Sequence, residues 1–334
     1  MQQLFTILKK TFCILLIVVL VSAKGLSQSE NGNVSMEAGI NLGSSFFLGD
    51  LGGNSGVGKR FIKDINLRFT SIMKGGYITV YPAPWLGFRA ALQTGRLESA
   101  DAAIESTGGV EKWRKKRNLD FRSNISEAYF GVEIFPLMLF SSIAESSPRL
   151  RPYGIMGIDM FLFNPQGSLT DDKGKKTWYD LHPLRTEGQG MAEYPERKEY
   201  SLTQYNIPFG AGIKYYISEK FNIGTELLYR RSFTDYIDDV STDYIDPNLF
   251  DKYLSATDAA IARQIHAKAT EITGPEAYSI SPDSKRGTPT HNDAYFSLFL
   301  KLGVKLGVDI EKRDERRRFS SGKSSTNLRC PARF

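Results

Sequence analysis

The chain reads as an all-β protein, an eight-stranded antiparallel transmembrane β-barrel with long extracellular loops and a disordered periplasmic C-terminal tail. Three observations predict this. The closing segment alternates apolar and non-apolar residues over a membrane-spanning length, an export signal opens the chain, and eight alternating segments are joined by connections that switch between short and long.

In the closing segment, Phe296, Leu298, Leu300, Leu302, Val304 and Leu306 share one face. Tyr295, Ser297, Phe299, Lys301, Gly303, Lys305 and Gly307 share the other. Period two means a strand with two different faces. A tilted strand crosses a bilayer in about 9–11 residues, whereas strands of soluble proteins usually have about 5–6. A soluble lipocalin-like barrel would also alternate, but with the apolar face inside and the charges in water. Segment length and a polar face rich in glycine favour the membrane reading.

At the other end, Lys9 and Lys10 precede an apolar run from Thr11 to Val21, followed by the small residues Ser22 and Ala23. This is the pattern of a signal peptide, residues 1–23, cleaved after Ala23. The run is too short for a spanning helix, which needs about 20 residues. Cys13 leaves with the signal, so the mature chain keeps only Cys330 and forms no internal disulfide. The mean hydropathy of −0.29 is compatible with a barrel, because alternating strands average out.

The remaining strands follow in chain order. Ser35–Gly43 sets Met36, Ala38, Ile40 and Leu42 against Glu37 and Asn41. Ser71–Tyr81 alternates more weakly, with Lys74 on its apolar face near one end. Pro82–Trp85 turns it into Leu86–Gly95, where Leu86, Phe88, Ala90 and Leu92 oppose Gly87, Arg89 and Gln93; proline belongs in that turn rather than mid-strand. Ile125–Phe135 sets Ala128, Phe130, Val132 and Ile134 against Glu127, Tyr129, Gly131 and Glu133. Tyr153–Phe163 sets Met156, Ile158, Met160 and Leu162 against Gly157 and Asp159. Ile207–Ile217 carries Gly210, Gly212, Lys214 and Tyr216 on its second face. Ser218–Phe221 leads tightly into Asn222–Ser232, where Ile223, Thr225, Leu227 and Tyr229 oppose Asn222, Gly224, Glu226 and Arg230. With the closing strand these form a barrel over residues 34–308.

The long connections are Ser44–Thr70, Arg96–Asn124, Asn164–Tyr200 and Phe233–Asp293. Short turns face the periplasm and long loops face outward, which places both termini in the periplasm and the chain in the outer membrane of a Gram-negative-type cell. One periplasmic connection, Pro136–Pro152, is longer than the rule predicts. Its Met138-Leu139-Phe140 run either extends a strand or docks under the barrel. Thr257–Thr270 reads as a short helix on the last loop, with Ile261 and Ile265 one turn apart.

The polar faces carry five acids, Glu37, Glu127, Glu133, Asp159 and Glu226, and five bases, Arg89, Lys214, Arg230, Lys301 and Lys305. An eight-stranded barrel is only wide enough to be filled by side chains, and buried charges must be paired. The balance predicts a salt-bridged plug, with Tyr129 and Tyr216 filling space, and argues against a porin. By the same logic Leu300→Arg, on the lipid face, is expected to harm folding far more than Ser297→Arg in the lumen.

Little points to catalysis. His182, His266 and His291 fall in loops, and no nucleophile or orienting acid is tied to them by spacing. Asp235, Asp238, Asp239, Asp243 and Asp246 are acidic enough for Ca²⁺ but match no EF-hand loop spacing, and the plainer reading is a polar rim with Asp side chains capping turns. The expectation is no enzyme, no cofactor and no metal. Of the formal charge of +6, the segment from Glu311 to Phe334 supplies +5, so the basic balance says little about nucleic acid binding by the body, and no nucleic acid partner is expected. This tail, residues 309–334, has no apolar period and is expected to be disordered. Its Arg316, Arg317, Arg318 and Phe319 are the candidate partner-binding residues.

Several pieces resemble a known family when taken in order: Phe47–Leu51, Phe163-Asn164-Pro165, Leu184–Gly190, Tyr200-Ser201-Leu202, Ile207–Gly210 and Thr234–Ser241. Over roughly 34 to 307 they resemble the small outer-membrane barrels that include PorG-like components of the type IX secretion system. The resemblance implies an eight-stranded barrel and, for PorG-like members, a role in anchoring periplasmic secretion machinery to the outer membrane. It brings no catalytic residues. The expected function is a non-enzymatic anchoring or assembly component of a protein secretion machinery, with outer-membrane lipid and periplasmic secretion proteins as partners. The alternative is an outward-facing ligand-binding or adhesion barrel working through Asn164–Tyr200 and Phe233–Asp293.

Overall fold

The computed structural model describes residues 34–51, 69–104, 111–140, 148–271 and 281–306. The signal segment 1–23 and the tail 309–334, with Arg316, Arg317, Arg318 and Phe319, lie outside them. The strands are β1 (Ser35–Leu48), β2 (Ser71–Ala83), β3 (Leu86–Ala100), β4 (Asp120–Ile134), β5 (Leu150–Leu162), β6 (Pro165–Thr170), β7 (Lys176–Asp180), β8 (Thr203–Tyr216), β9 (Phe221–Ser232) and β10 (Ala294–Leu306). Short helices are α1 (Glu111–Arg117), α2 (Leu249–Tyr253) and α3 (Ala256–His266).

Eight of these strands make a closed antiparallel wall in the order β1-β2-β3-β4-β5-β8-β9-β10, with β10 returning to β1. The closing ladder runs from Met36 opposite Leu306 to Leu48 opposite Ala294. Closure leaves no unpaired strand edge, the condition for a sheet surrounded by lipid. In the wall, Pro208 has no N–H to give, and the β5–β8 ladder skips from Met156–Phe209 to Asp159–Asn206 beside it.

The faces fall as the alternation predicts. Outward side chains form an apolar belt in which Ile40, Leu42, Ile72, Phe130, Met156, Ile158, Leu298, Leu300 and Leu302 are exposed, Leu300 to 67%. Tyr295, Ser297, Phe299 and Lys301, their neighbours on β10, are buried in the lumen. A greasy outside around a polar packed inside is the polarity of a membrane-spanning barrel and the reverse of a soluble one.

Several strands outrun their predicted ends. β1 continues from Gly43 to Leu48, β3 from Gly95 to Ala100, and β4 begins at Asp120 rather than Ile125. Above the belt the outward positions become Thr94, Arg96 and Glu98 on β3 and Arg122, Asn124 and Ser126 on β4. Hydrophobic alternation ends there although the backbone ladder continues, so the sequence pattern marks the bilayer and not the full strand. Pro82 also lies inside β2 rather than in the turn, where the register shifts between Val80 and Ala83. Proline is tolerated at such an irregularity.

The start of β1 and the end of β10 lie at one end, here the terminal mouth, and the described parts of the four long connections lie at the other, the loop mouth. At the terminal mouth Pro136–Leu139 forms a single 3-10 turn that tucks Met138 against a cluster including Phe135, Tyr81 and Tyr153. The run does not extend a strand, and only Met138 docks under the barrel, since Leu139 and Phe140 are exposed. At the loop mouth the connections fold together. The third contains the β6–β7 hairpin, which the alternation did not reveal, turning at Gly174 with φ 79°. The fourth contains α2 and α3, the second covering most of the predicted 257–270 helix. Leu181, Leu184, Met191, Ile245, Phe250, Ala259, Ala262 and Ile265 give this cap its own core.

Candidate functional site

Two connected sets of polar side chains stand out: the lumen plug and the joint between barrel and cap.

The plug is built from inward positions on six strands, β1, β3, β4, β8, β9 and β10. Lys214 Nζ lies 2.8 Å from Glu37 Oε1 and 3.1 Å from Glu133 Oε2. Arg89 pairs with Glu133 and with Glu226, the latter at 2.5 Å. Lys301 Nζ lies 2.9 Å from Glu226 Oε2, and Arg230 Nε lies 2.8 Å from Glu127 Oε1. All eight residues are almost completely buried. Four acids thus meet four bases, and the desolvation cost of each is offset by at least one close opposite charge.

Two of the ten predicted network residues stand apart. Asp159 accepts a hydrogen bond from Asn206 Nδ2 and makes no ion pair among the described residues. Lys305 sits over the Tyr216 ring, 4.5 Å from its centroid, and likewise makes no ion pair among them. The expected single network of ten is therefore a chain of six, Glu37–Lys214–Glu133–Arg89–Glu226–Lys301, and a separate Arg230–Glu127 pair, with Asp159 nearer the loop mouth and Lys305 at the terminal mouth. Of the two predicted space fillers, Tyr129 accepts from Arg89 Nη1 at 2.9 Å, and Tyr216 lines the terminal mouth.

Other phenols were missed. Tyr77 donates to Glu37 at 3.0 Å, Tyr81 to Glu133 at 3.2 Å and Tyr153 to Glu226 at 2.6 Å. Tyr295 donates to Glu127. Their parity on the strands was the available signal, since each alternates with outward residues. Gly39 shows why glycine lines this wall: a Cβ there would overlap the Tyr77 ring.

The joint forms where the loops converge. Phe47, Leu51, Leu97, Phe121, Phe161, Phe163, Tyr200, Ile237 and Val240 pack into the loop mouth. Tyr200 stacks on Tyr236 with centroids 4.6 Å apart. Glu187 accepts from the Ser241 and Thr242 amides and from Thr242 Oγ1, and pairs with Arg286 at 2.6 Å. Asp239 accepts from Tyr200 OH at 2.7 Å and from Thr186 Oγ1. Asp238 accepts from the Leu51 amide at 3.1 Å and the Val240 amide at 3.0 Å. Asp293 accepts from the Ile237 amide at 2.8 Å. Arg117 reaches Asp101 at 2.7 Å and the Asp50 carbonyl at 2.7 Å.

Asp235, Asp238 and Asp239 of the acidic run thus lie in a buried hub rather than on a polar rim, Asp243 and Asp246 are half-buried, and several carboxylates cap backbone amides as expected. Among the described residues no group of His, Cys, Asp and Glu is placed to hold a metal ion. Burial pushes the Asp239 carboxyl up to about 6 despite Arg286, and Asp235 up to about 8. Asp238 and Asp293 are also raised, by burial and then by their acidic neighbours.

The histidines are placed differently from one another. His266 is buried at the end of α3 and donates from Nδ1 to the Thr186 carbonyl at 2.7 Å. Burial and Arg286 depress it to about 3, so it stays neutral. His182 donates from Nε2 to the Tyr200 carbonyl at 2.8 Å. His291 lies exposed beside Thr290.

Five of the six pieces that carry the family resemblance meet at this joint, through Asp50, Phe163, Thr186, Glu187, Tyr200, Asp238 and Asp239. The sixth, Ile207–Gly210, lies in the wall of β8.

The likeness to solved structures is to small outer-membrane barrels. Ail, the attachment invasion locus protein of Yersinia pestis, is 8% identical, with 82% of this chain and 99% of that one covered at a TM-score of 0.31. A major outer membrane protein from Thermus thermophilus is 10% identical, with 81% and 99% covered at a TM-score of 0.34. OprG from Pseudomonas aeruginosa is 12% identical, with 82% and 96% covered at a TM-score of 0.27. No family model matches the chain, and no curated protein matches it. The barrel assignment stands on this chain's own closed ladder.

Proposed function

We propose that this chain is a non-conducting, non-enzymatic barrel of the outer membrane that anchors or helps assemble a protein secretion machinery of the type IX kind. The observation that carries the non-conducting part is the filled lumen. Arg89, Lys214, Arg230 and Lys301 lie across the axis, each with a carboxylate partner. A solute path would require breaking buried pairs, each a disruption of order 3–5 kcal/mol. The apolar belt supplies the hold on lipid. The resemblance supports the secretion role, with the termini in the periplasm and the basic tail residues Arg316, Arg317, Arg318 and Phe319 making a salt-sensitive contact there.

The test is affinity isolation of the tagged full-length protein from crosslinked envelopes, with and without residues 311–334. The reading expects periplasmic secretion proteins with the full chain and their loss with the truncation, the barrel still assembled. Isolation of no such protein by the full chain defeats it.

A second reading, capture of an outside ligand, draws on the cap, whose own core makes it a rigid platform rather than a set of loose loops. It expects cap-directed antibody fragments to block ligand capture while leaving the periplasmic partners in place.

A further inference from the structure

At the terminal mouth two cations share one aromatic ring. Arg151 on β5 and Lys305 on β10 each lie over Tyr216 on β8, both 4.5 Å from its centroid. Neither forms an ion pair among the described residues. Each lacks one for an identifiable reason. Lys305 stands opposite Glu37 in the β1–β10 ladder, but Glu37 faces deeper into the lumen and is taken by Lys214, Tyr77 and Asn222. Arg151 stands opposite another cation, Lys214, in the β5–β8 ladder, and its Nε donates to the Pro148 carbonyl at 3.0 Å.

The surroundings carry two further cations and one acid, Glu219, which precedes Lys220 in the β8–β9 turn. Arg149 and Lys220 flank the same strand ends, tied in by the Tyr216 amide on the Arg149 carbonyl at 2.8 Å and the Lys305 amide on the Lys220 carbonyl at 2.7 Å. Two like charges brought to one ring repel each other, and an anion that reaches both relieves the repulsion. Cation–π contact holds the side chains in place but leaves their N–H donors able to bind one.

Direction decides the kind of anion. Arg151, Tyr216 and Lys305 occupy inward register positions, while their neighbours Leu150, Tyr215 and Leu306 point outward and are exposed. A lipid headgroup beside the wall meets the outward row. A group arriving along the barrel axis meets the inward one.

We propose that Arg151, Tyr216 and Lys305 form a socket at the terminal mouth for a carboxylate side chain of an acidic segment on a docked periplasmic protein. The socket deepens the anchoring reading and rests on it for which side of the membrane this mouth faces. It provides a second, rigid basic contact, distinct from the tail.

The experiment uses the full chain in neutral-lipid nanodiscs and fluorescent hexaglutamate as the probe, comparing wild type, Arg151→Gln/Lys305→Gln and Arg316→Gln/Arg317→Gln/Arg318→Gln. Heat-modifiable migration checks that each barrel is folded. The socket expects binding that weakens with salt and falls at least tenfold in the Arg151/Lys305 variant. The tail variant should retain a component that Arg151→Gln/Lys305→Gln then removes. Unchanged binding in the socket variant overturns the proposal, as does loss confined to the tail variant. Anionic phospholipid retained by wild type but not by the socket variant in native mass spectrometry also overturns it, in favour of a lipid phosphate. Failure of the anchoring reading appears elsewhere, as absence of secretion proteins from the crosslinked envelope, and leaves the peptide result standing.

Discussion

Arg89 and Glu226 reach each other across the full width of the barrel. Their strands, β3 and β9, are separated by three others on one side and three on the other, yet Nη1 and Oε2 lie 2.5 Å apart. The pair is a tie-beam, and Arg89 extends it to Glu133, Tyr129 and, at 3.5 Å, Tyr153.

Arg89→Met should therefore cost about 3 kcal/mol, the low end for a broken buried pair, because it takes one of two cations from each of two carboxylates and leaves Glu133 with Lys214 and Glu226 with Lys301. Arg89→Met combined with Glu226→Gln should cost less than the sum of the two single changes. Urea unfolding in lipid vesicles measures all three, and strict additivity would show that the pair is not coupled.

The pair of arginine substitutions expected to differ in β10 comes out differently once the lumen is seen. Leu300 is outward and mid-strand, so Leu300→Arg should cost about 2–4 kcal/mol. Ser297 is fully buried and accepts from Arg230 Nη1 at 2.8 Å. An arginine there meets a filled space and an existing cation, so Ser297→Arg should be at least as damaging. Ser297→Ala, losing one hydrogen bond, should cost about 0.5–1.5 kcal/mol. Vesicle unfolding ranks the three.

In planar bilayers the wild-type barrel should show no stable single-channel steps. The plug occupies the axis with paired charge and phenols, and eight strands leave only room for side chains. Regular open-channel steps from purified, folded protein would show that the plug moves aside.

Glu187→Ala should loosen the cap while sparing the barrel. It removes the acceptor of the Ser241 and Thr242 amides and leaves Arg286 buried without that partner. Amide hydrogen exchange should speed up in 181–266, with heat-modifiable migration unchanged. Equal acceleration in β1 and β10 would mean that cap and barrel unfold together.

The joint should also weaken as the medium becomes alkaline. Asp235, raised to about 8, binds more protons folded than unfolded between the ordinary aspartate value of about 3.9 and 8. Its contribution is fully present below that range and is lost as pH rises through it. His266 acts oppositely: depressed to about 3, its contribution is present above the ordinary value of about 6.5 and lost as pH falls. Above about pH 6.5 only the carboxyl effect remains. Cap exchange, corrected for intrinsic rates, should thus rise from about pH 6.5 to about 8.5, and Asp235→Asn should reduce the rise, the raised Asp238 and Asp293 carrying the remainder. A flat wild-type profile would contradict the burial of this carboxyl.

The number of wall strands, their in-and-out parity and the identity of the buried charges were legible in the residues. Each depends on local alternation: Leu300 and Lys301 must face opposite ways in any strand, and closure tells which way is lipid. The strand ends above the belt were not legible, because Arg96 and Asn124 pair across β3 and β4 without any apolar mark. Nor was the acidic hub. Asp238 and Leu51 are far apart in sequence, and a run of aspartates looks the same whether it is solvated or buried.

By itself the sequence determined the barrel, since a period-two pattern of this length has one stable arrangement in lipid, with every backbone group paired within a closed sheet. Only the tertiary structure decided which charge meets which. Arg89 finds Glu226 from the opposite wall, Lys305 loses Glu37 to Lys214, and the loops bury Glu187 against Arg286. These choices depend on the shear of the closed wall and on side-chain reach across the lumen, and neither quantity is carried by any single strand.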